Sequence, residues 1–285
     1  NSSSGFKGGQ STFTEVSVGN IIGTFFGSGA NLTNIAANST STFVLGLIIS
    51  TASNWVADKN KIHLRADAIN IMGDFYNSTI STIADITILG AGGLDVGTEK
   101  ASEWYGVYAI SNGSTVGVIL SANPNGLPTM PSGYTKWRRL GDVYNDTSSD
   151  IRPFVKTGNH GTLLPGILVA NGVNPDLTVR ELNLQKYISS TTIAASFSLV
   201  IQGEDNVLSQ LSLNPEGVTN ATLVQGNDSL SWGMRSYTSV ADVPLFIVDL
   251  NLKFPYGKKL YYFAAGADQI PSFSLAIVGY EEEIR

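Results

Sequence analysis

The chain has 285 residues and no cysteine, which excludes disulfides, thiol catalysis and thiolate metal sites. Charged residues make up only 14%, against roughly 25% in an average soluble protein, and the net charge is -6, so the basic footprint that phosphate backbones demand is missing and no nucleic-acid partner is expected. Hydrophobic residues at 42% suffice for a core, leaving Ser, Thr, Asn and Gly to dress the surface. Along the chain, residues 1–42 are rich in those small polar types and too poor in apolar residues to bury a core alone. Within them, Gly23 to Asn38 reads GTFFGSGANLTNIAAN. Gly27 and Gly29 match the first two glycines of a dinucleotide fingerprint, but Leu32 stands where the third belongs and no helix pattern follows, so a nucleotide cradle is not expected. As a plain linker the stretch would leave Phe25, Phe26, Leu32 and Ile35 wet. Three copies around an axis would bury them, so residues 1–42 are expected to be a thin trimerising stem with those four residues at the interface.

Beyond the stem, alternation of apolar and polar residues dominates. The longest apolar run, Phe43 to Ile49, is far short of the roughly 20 residues that span a bilayer, so no membrane insertion is expected and the chain reads as soluble. Short strands are predicted in KIHLRADAI and ISTIADITIL. The following ITILGAGGLDVG places Gly90 and Gly92 after a strand, but Asp95 takes the third glycine position and the chain runs on into more strand. WYGVYAI and TVGVILS flank Asn112-Gly113, whose positive φ angles predict a tight hairpin turn. In KWRRL, Lys136 and Arg138 share one face and Trp137 and Arg139 the other, which suggests a cation–π contact or an intersubunit ion pair for the Arg beside the Trp.

Val155 to Asn174, with Gly158, Gly161, Pro165 and Gly166, reads as a connector into a C-terminal β unit. Asp176 to Ile188 admits either a helix or a bulged strand. In STTIAASFSLVIQ the predicted inward set is Ile193, Ala195, Phe197, Leu199 and Ile201, opposed by Ser196 and Ser198. In PLFIVDLNLKF it is Phe246, Val248, Leu250, Leu252 and Phe254, opposed by Asp249, Asn251 and Lys253. SFSLAIVGY is a last strand, and Glu281 to Ile284 reads as a solvated tail. The expected fold class is all-β: a thin N-terminal stem over 1–42, then two β-sandwich-like domains over 43–155 and 156–285.

Chemistry-bearing groups are sparse. His63 and His160 have no spaced partners, so no metal site is expected, and no serine lies in a Gly-x-Ser-x-Gly elbow. Paired carboxylates for glycoside hydrolysis would have to come from Glu99 with Glu103 or Glu204 with Asp205, which read as solvated loop residues. No catalytic residue and no cofactor is expected. Sequons at Asn1, Asn31, Asn38, Asn77, Asn112, Asn145, Asn220 and Asn227 are what an Asn-, Ser- and Thr-rich chain supplies largely by chance. Aromatics are the remaining lead, since sugars stack on exposed rings while amides and carboxylates bind their hydroxyls. Asn227, Asp228, Trp232, Arg235 and Tyr237, in NDSLSWGMRSYTS, gather such groups and form the candidate carbohydrate- or receptor-binding set, with Trp232 as a core plug the alternative. Trp104, Tyr105 and Trp137 read as core, and at most one of Tyr261 and Tyr262 faces outward.

A family resemblance joins these pieces. The pattern Phe26-Gly27-x-Gly29-x-x-Leu32-Thr33-Asn34-Ile35 resembles the short repeat of trimeric bacteriophage tail-fibre necks and related adhesins. The ordered block RADAINI, ADITILGAGGLDVGTEKASEWYGVYAI, LPTMPSGYTKWRRLGDVYND and RPF is similar to a domain of phage and prophage tail-fibre-like proteins. Together they cover Ile21 to Phe154. The C-terminal half resembles the β-sandwich that often follows, ending in VGYEEEIR. The resemblance implies a non-catalytic virion component exposed on the particle exterior. It would be a homotrimer that contacts other virion proteins and binds bacterial cell-surface polysaccharide during host attachment. Head decoration without a receptor and a polysaccharide depolymerase are the alternatives. The resemblance assigns no individual binding residue.

Overall fold

The structure, a computed structural model, describes residues 43–51, 58–173, 180–202, 210–215, 245–254, 257–265 and 272–282. The expected stem and its residues Phe25, Phe26, Leu32 and Ile35 lie outside them, as do Asn227, Asp228, Trp232, Arg235 and Tyr237. All described residues belong to one of two units, residues 37–285.

The fold is all-β, and the described residues form seventeen strands with no helix. In chain order these are β1 (Val44–Leu45), β2 (Ile48–Thr51), β3 (Lys61–Ala66), β4 (Ala68–Ile71), β5 (Asp74–Tyr76), β6 (Ile80–Asp85), β7 (Glu103–Ser111), β8 (Val116–Ser121) and β9 (Lys136–Asn145). There follow β10 (Phe154–Thr157), β11 (His160–Val173), β12 (Arg180–Asn183), β13 (Thr192–Gln202), β14 (Gln210–Pro215), β15 (Leu245–Lys253), β16 (Lys259–Ala265) and β17 (Ser272–Glu282). The largest sheet has eight strands in the order β15-β13-β17-β11-β10-β2-β3-β6, and three three-stranded sheets, β1-β4-β5, β12-β16-β14 and β8-β7-β9, accompany it.

The expected boundary between residues 155 and 156 falls inside β10, whose neighbours β2 and β11 come from either side of it. Strands from both sides of that boundary share one sheet and one hydrophobic core, running from Leu47 and Ile49 to Leu275 and Ile277. The connector expected over Val155 to Asn174 is instead β10 and β11, joined at a turn where Gly158 has φ +58°. Gly166 sits where a Cβ would come 2.7 Å from the Ile277 carbonyl oxygen, within a stretch of β11 whose register against β17 shifts between Thr162 and Ile167. The glycines and proline that suggest a linker thus serve a turn and a bulged strand.

Burial follows the predicted alternation where the ladder is regular. Ile62, Leu64 and Ala66 of β3 are buried between half-buried or exposed Lys61, His63 and Arg65. In β15, Leu252 is buried and Leu250 half-buried opposite exposed Asp249, Asn251 and Lys253; Phe254 beyond it is buried too. In β13, Ala195, Phe197 and Leu199 are inward as expected, but Ile193 is 46% exposed. A register shift between Thr192 and Ala194 against β17 inserts a residue there, and one inserted residue flips a side chain to the other face. In the segment from Asp176 to Ile188, the described residues form a short strand and a turn rather than a helix.

The hairpin forms as predicted between β7 and β8, with a four-residue turn, 112–115. Gly113 supplies a φ of +89°, while the Asn112 side chain accepts from the amides of Ser114 (2.9 Å) and Thr115 (2.8 Å). Asn112 therefore caps the turn instead of sharing its positive φ. β7 is the middle strand of its sheet and is buried on both faces. Trp104, Tyr105, Val107 and Ala109 join the main core, and Tyr108 and Ile110 join a second cluster with Ile119, covered by Met130, Tyr134 and Trp137.

The glycine loop 90–97 spends its amides on the chain itself. Gly90 donates to Leu94 O, Gly92 to Val118 O and Gly93 to Gly90 O, so these amides are not presented to a phosphate.

Candidate functional site

β9 carries the residues around which the most elaborate polar site is built. In a regular strand, residues i and i+3 point to opposite faces. The β7–β9 ladder shifts register between Val107 and Tyr108, opposite Leu140, and the inserted residue lets Arg139 reach Asp142 for an ion pair of 2.6 Å. The face assignment in KWRRL survives this: Lys136 pairs with Asp74 while Arg138 donates to Phe43 O and Asn70 O, both 2.9 Å away, so both reach the β1-β4-β5 sheet. Lys136 and Ser111 together hold the Asp74 carboxyl below its ordinary range. Trp137 sets its ring edge-on to Tyr108, with centroids 5.8 Å apart. Of the cation–π contact and the intersubunit ion pair suggested for it, Arg139 shows an ion pair, made to a carboxylate of its own chain.

Asp142 is fully buried and accepts from the hydroxyls of Ser189 and Thr191. Arg139 also donates to Thr191 Oγ1 (2.6 Å) and, through Nε, to Pro124 O (2.9 Å). Beside this centre, Glu282 of the tail that reads as solvated turns inward. Glu282 is fully buried, accepting from Lys156 Nζ at 2.8 Å and from the Asp142 amide at 3.0 Å. Lys156, equally buried, also lies 5.8 Å from the Tyr280 ring centroid, and Tyr280 donates its hydroxyl to Asp142 O (3.0 Å). Burial pushes the Tyr280 hydroxyl well above its ordinary pKa. Burial, then the Asp142 charge, pushes Glu282 up to about 7 against the pull of Lys156. Its Oε1 is buried without a hydrogen-bond partner among the described residues, so its negative charge is met on one oxygen only.

Gly141, between these groups, has φ +151° and leaves room that a side chain would take: a Cβ there would lie 2.5 Å from Lys156 Cε and 2.7 Å from Glu282 Oε2. The Lys156–Glu282 pair is sealed from water and the Arg139–Asp142 pair nearly so, and together they brace β9 against β10, β17 and the turn before β13. They present no nucleophile or base to a substrate.

Beside this network opens a cleft of about 360 Å³, within the range of small-ligand sites. One wall is the loop after β8, Pro124 to Leu127, and the other is Ser190 to Ile193. Trp137 and Arg139 from β9 complete it with Phe254 and Lys258. Asn125 Nδ2 reaches Ser190 Oγ across the walls at 2.5 Å. Leu127 is 72% exposed there. The Lys258 ammonium lies 5.9 Å from the Phe254 ring centroid, and burial holds its pKa below the ordinary lysine value.

Of the pairs weighed for glycoside hydrolysis, Glu99 accepts from Asn145 Nδ2 at 3.0 Å, while Glu204 and Asp205 lie outside the described residues. Among the described residues no three His, Asp or Glu side chains are grouped to hold a metal. Trp104 and Tyr105 are core, as read from sequence, while Trp137 is half-buried and lines the cleft. Tyr261 and Tyr262 are both half-buried: the first places its hydroxyl 3.3 Å from Glu181, the second its ring edge-on to Phe273. The cleft itself escapes a sequence reading, because its walls come from four separate stretches. The one signal was Trp137 and Arg139 on a common strand face.

No family model and no curated protein matches the chain. Among solved structures, the insecticidal delta-endotoxin Cry8Ea1 from Bacillus thuringiensis aligns over 83% of this chain and 53% of its own at 14% identity, with a TM-score of 0.22. A score that low carries no inference about fold or function.

Proposed function

We propose that the chain is a structural virion protein of a tailed bacteriophage, a trimeric tail-fibre subunit that takes part in host attachment and has no catalytic activity. The observation that carries the reading is the ordered tail-fibre-like block ending at Phe154, together with what its most polar stretch does. In KWRRLGDVY, Arg138, Arg139 and Asp142 are buried and bonded to backbone carbonyls, hydroxyls and each other. Residues used that way maintain a scaffold, which is what a fibre domain requires of its recurring motif. The buried carboxylates Asp142 and Glu282 are likewise committed to Arg139 and Lys156. Many weak contacts multiplied by trimerisation would give attachment through effective concentration.

Location on the particle tests this. Gold-labelled antibodies against the chain, applied to phage particles from the source culture, are expected to mark tail fibres in electron micrographs. Label on the head would transfer the chain to capsid decoration, and particles without label would remove the virion reading.

A further inference from the structure

The cleft between the loop after β8 and the start of β13 has features that the attachment reading does not by itself require. Its lining holds Arg139 and Lys258 but no Asp or Glu, in a chain whose net charge is -6. Arg139 is answered from beneath by Asp142. Lys258 is half-buried and makes no ion pair among the described residues; the Glu282 charge acts on it, but burial outweighs that charge and holds its pKa below the ordinary lysine value. A cation withdrawn from water with no carboxylate in ion-pair contact is costly, and a ligand anion would relieve that cost.

The rest of the lining narrows the class of ligand. Trp137, Phe254 and Ile193 give apolar surface, and Ser190 and Asn125, joined by one hydrogen bond and both exposed, keep further hydroxyl and amide capacity within the same 360 Å³, while the Thr191 hydroxyl is taken by Asp142 and Arg139. A bare inorganic anion would use the ammonium and leave the apolar side chains wet. An aliphatic acid would leave the hydroxyls unused. A pyranose carrying a carboxylate has an apolar ring face, several hydroxyls and one negative charge, and so answers all three.

We propose that this cleft binds a carboxylate-bearing sugar, with the carboxylate on Lys258 and the ring against the Trp137 and Ile193 side. The inference rests on the attachment reading only for the source of the sugar, an acidic polysaccharide of the host surface.

Calorimetric titration of the full chain with trigalacturonate provides the test, with maltotriose as the uncharged ring and acetate as the carboxylate without a ring. Trigalacturonate is expected to bind saturably and both controls at least about tenfold more weakly, the worth of one charge-assisted contact. Lys258→Gln should weaken trigalacturonate roughly tenfold or more. Ile193→Glu, at a side chain already 46% exposed and so tolerant of charge, should abolish binding while leaving the thermal midpoint in place. Equal binding of maltotriose, unaltered binding by both variants, or no saturation by trigalacturonate would overturn the proposal. Tails labelled by antibody without sugar binding would remove the cleft and keep the attachment reading. Binding without labelled particles would do the reverse.

Discussion

Glu282 shows how far a single side chain can depart from its sequence context. Among EEEIR it has the look of a solvated tail residue, yet Lys156, 126 positions earlier, meets it in the interior at 2.8 Å. Desolvation raises its pKa from an ordinary 4.5 to about 7, so between those values the folded chain holds a proton that the unfolded chain has released. Stability from this group is therefore complete below about pH 4.5 and is lost as pH rises through about 7. Urea unfolding of the wild type and of Glu282→Gln at pH 5 and pH 8 is expected to show the wild type losing more stability than the variant between the two values. Parallel pH profiles would refute it. Local sequence could not have revealed this residue, because both its burial and its pKa are set by Lys156 and Asp142, neither of them near it in the chain.

At the scale of elements, regular ladders were legible and interrupted ones were not. The inward sets of β3 and the described part of β15 follow from period-two alternation alone, and the β7–β8 hairpin from Asn112-Gly113. Ile193 was misplaced because a bulge spends one residue without changing composition, and Val155 to Asn174 because glycines that permit close strand approach resemble linker glycines. β9 carries the most consequential bulge, and its Arg138 ties separate sheets together. Arg138 is 5% exposed, and its guanidinium donates to Phe43 O beside β1 and to Asn70 O in β4. Burial holds its pKa below the ordinary arginine value, yet it remains a cation throughout the working range. Arg138→Met keeps most of the apolar stem and removes the donors, at an expected cost of roughly 1.5–3 kcal/mol per charged hydrogen bond. Hydrogen exchange in β1, β4 and β5 should accelerate well beyond that in β13 and β17. Equal acceleration in all five strands would mean that Arg138 supports the whole fold and does not specifically fasten the small sheet.

For the whole molecule, the all-β class was legible because alternation and turn residues recur along the chain, while the sharing of one sheet across residue 155 was not, since strand order is set by partners distant in sequence. The cleft was hidden for the same reason: Asn125, Trp137, Ser190 and Lys258 have no sequence relation that predicts their meeting. Assembly poses the converse problem, since the proposed trimer rests on composition. Phe25, Phe26, Leu32 and Ile35 occur in a segment dominated by Gly, Ser, Thr and Asn, and burying a large apolar side chain is worth about 1.5–3 kcal/mol. Tripled around an axis, four such positions supply enough to hold chains together at micromolar concentration, where association needs about 8 kcal/mol. Light scattering on the full chain at that concentration is expected to give three times the 30.2 kDa chain mass. Phe26→Ser combined with Ile35→Ser should return it to the single-chain mass with the β-sheet circular dichroism of residues 43–282 intact. A wild-type chain that scatters as a monomer would remove the trimer, and a double variant that stays trimeric would move its contacts off the glycine-rich segment.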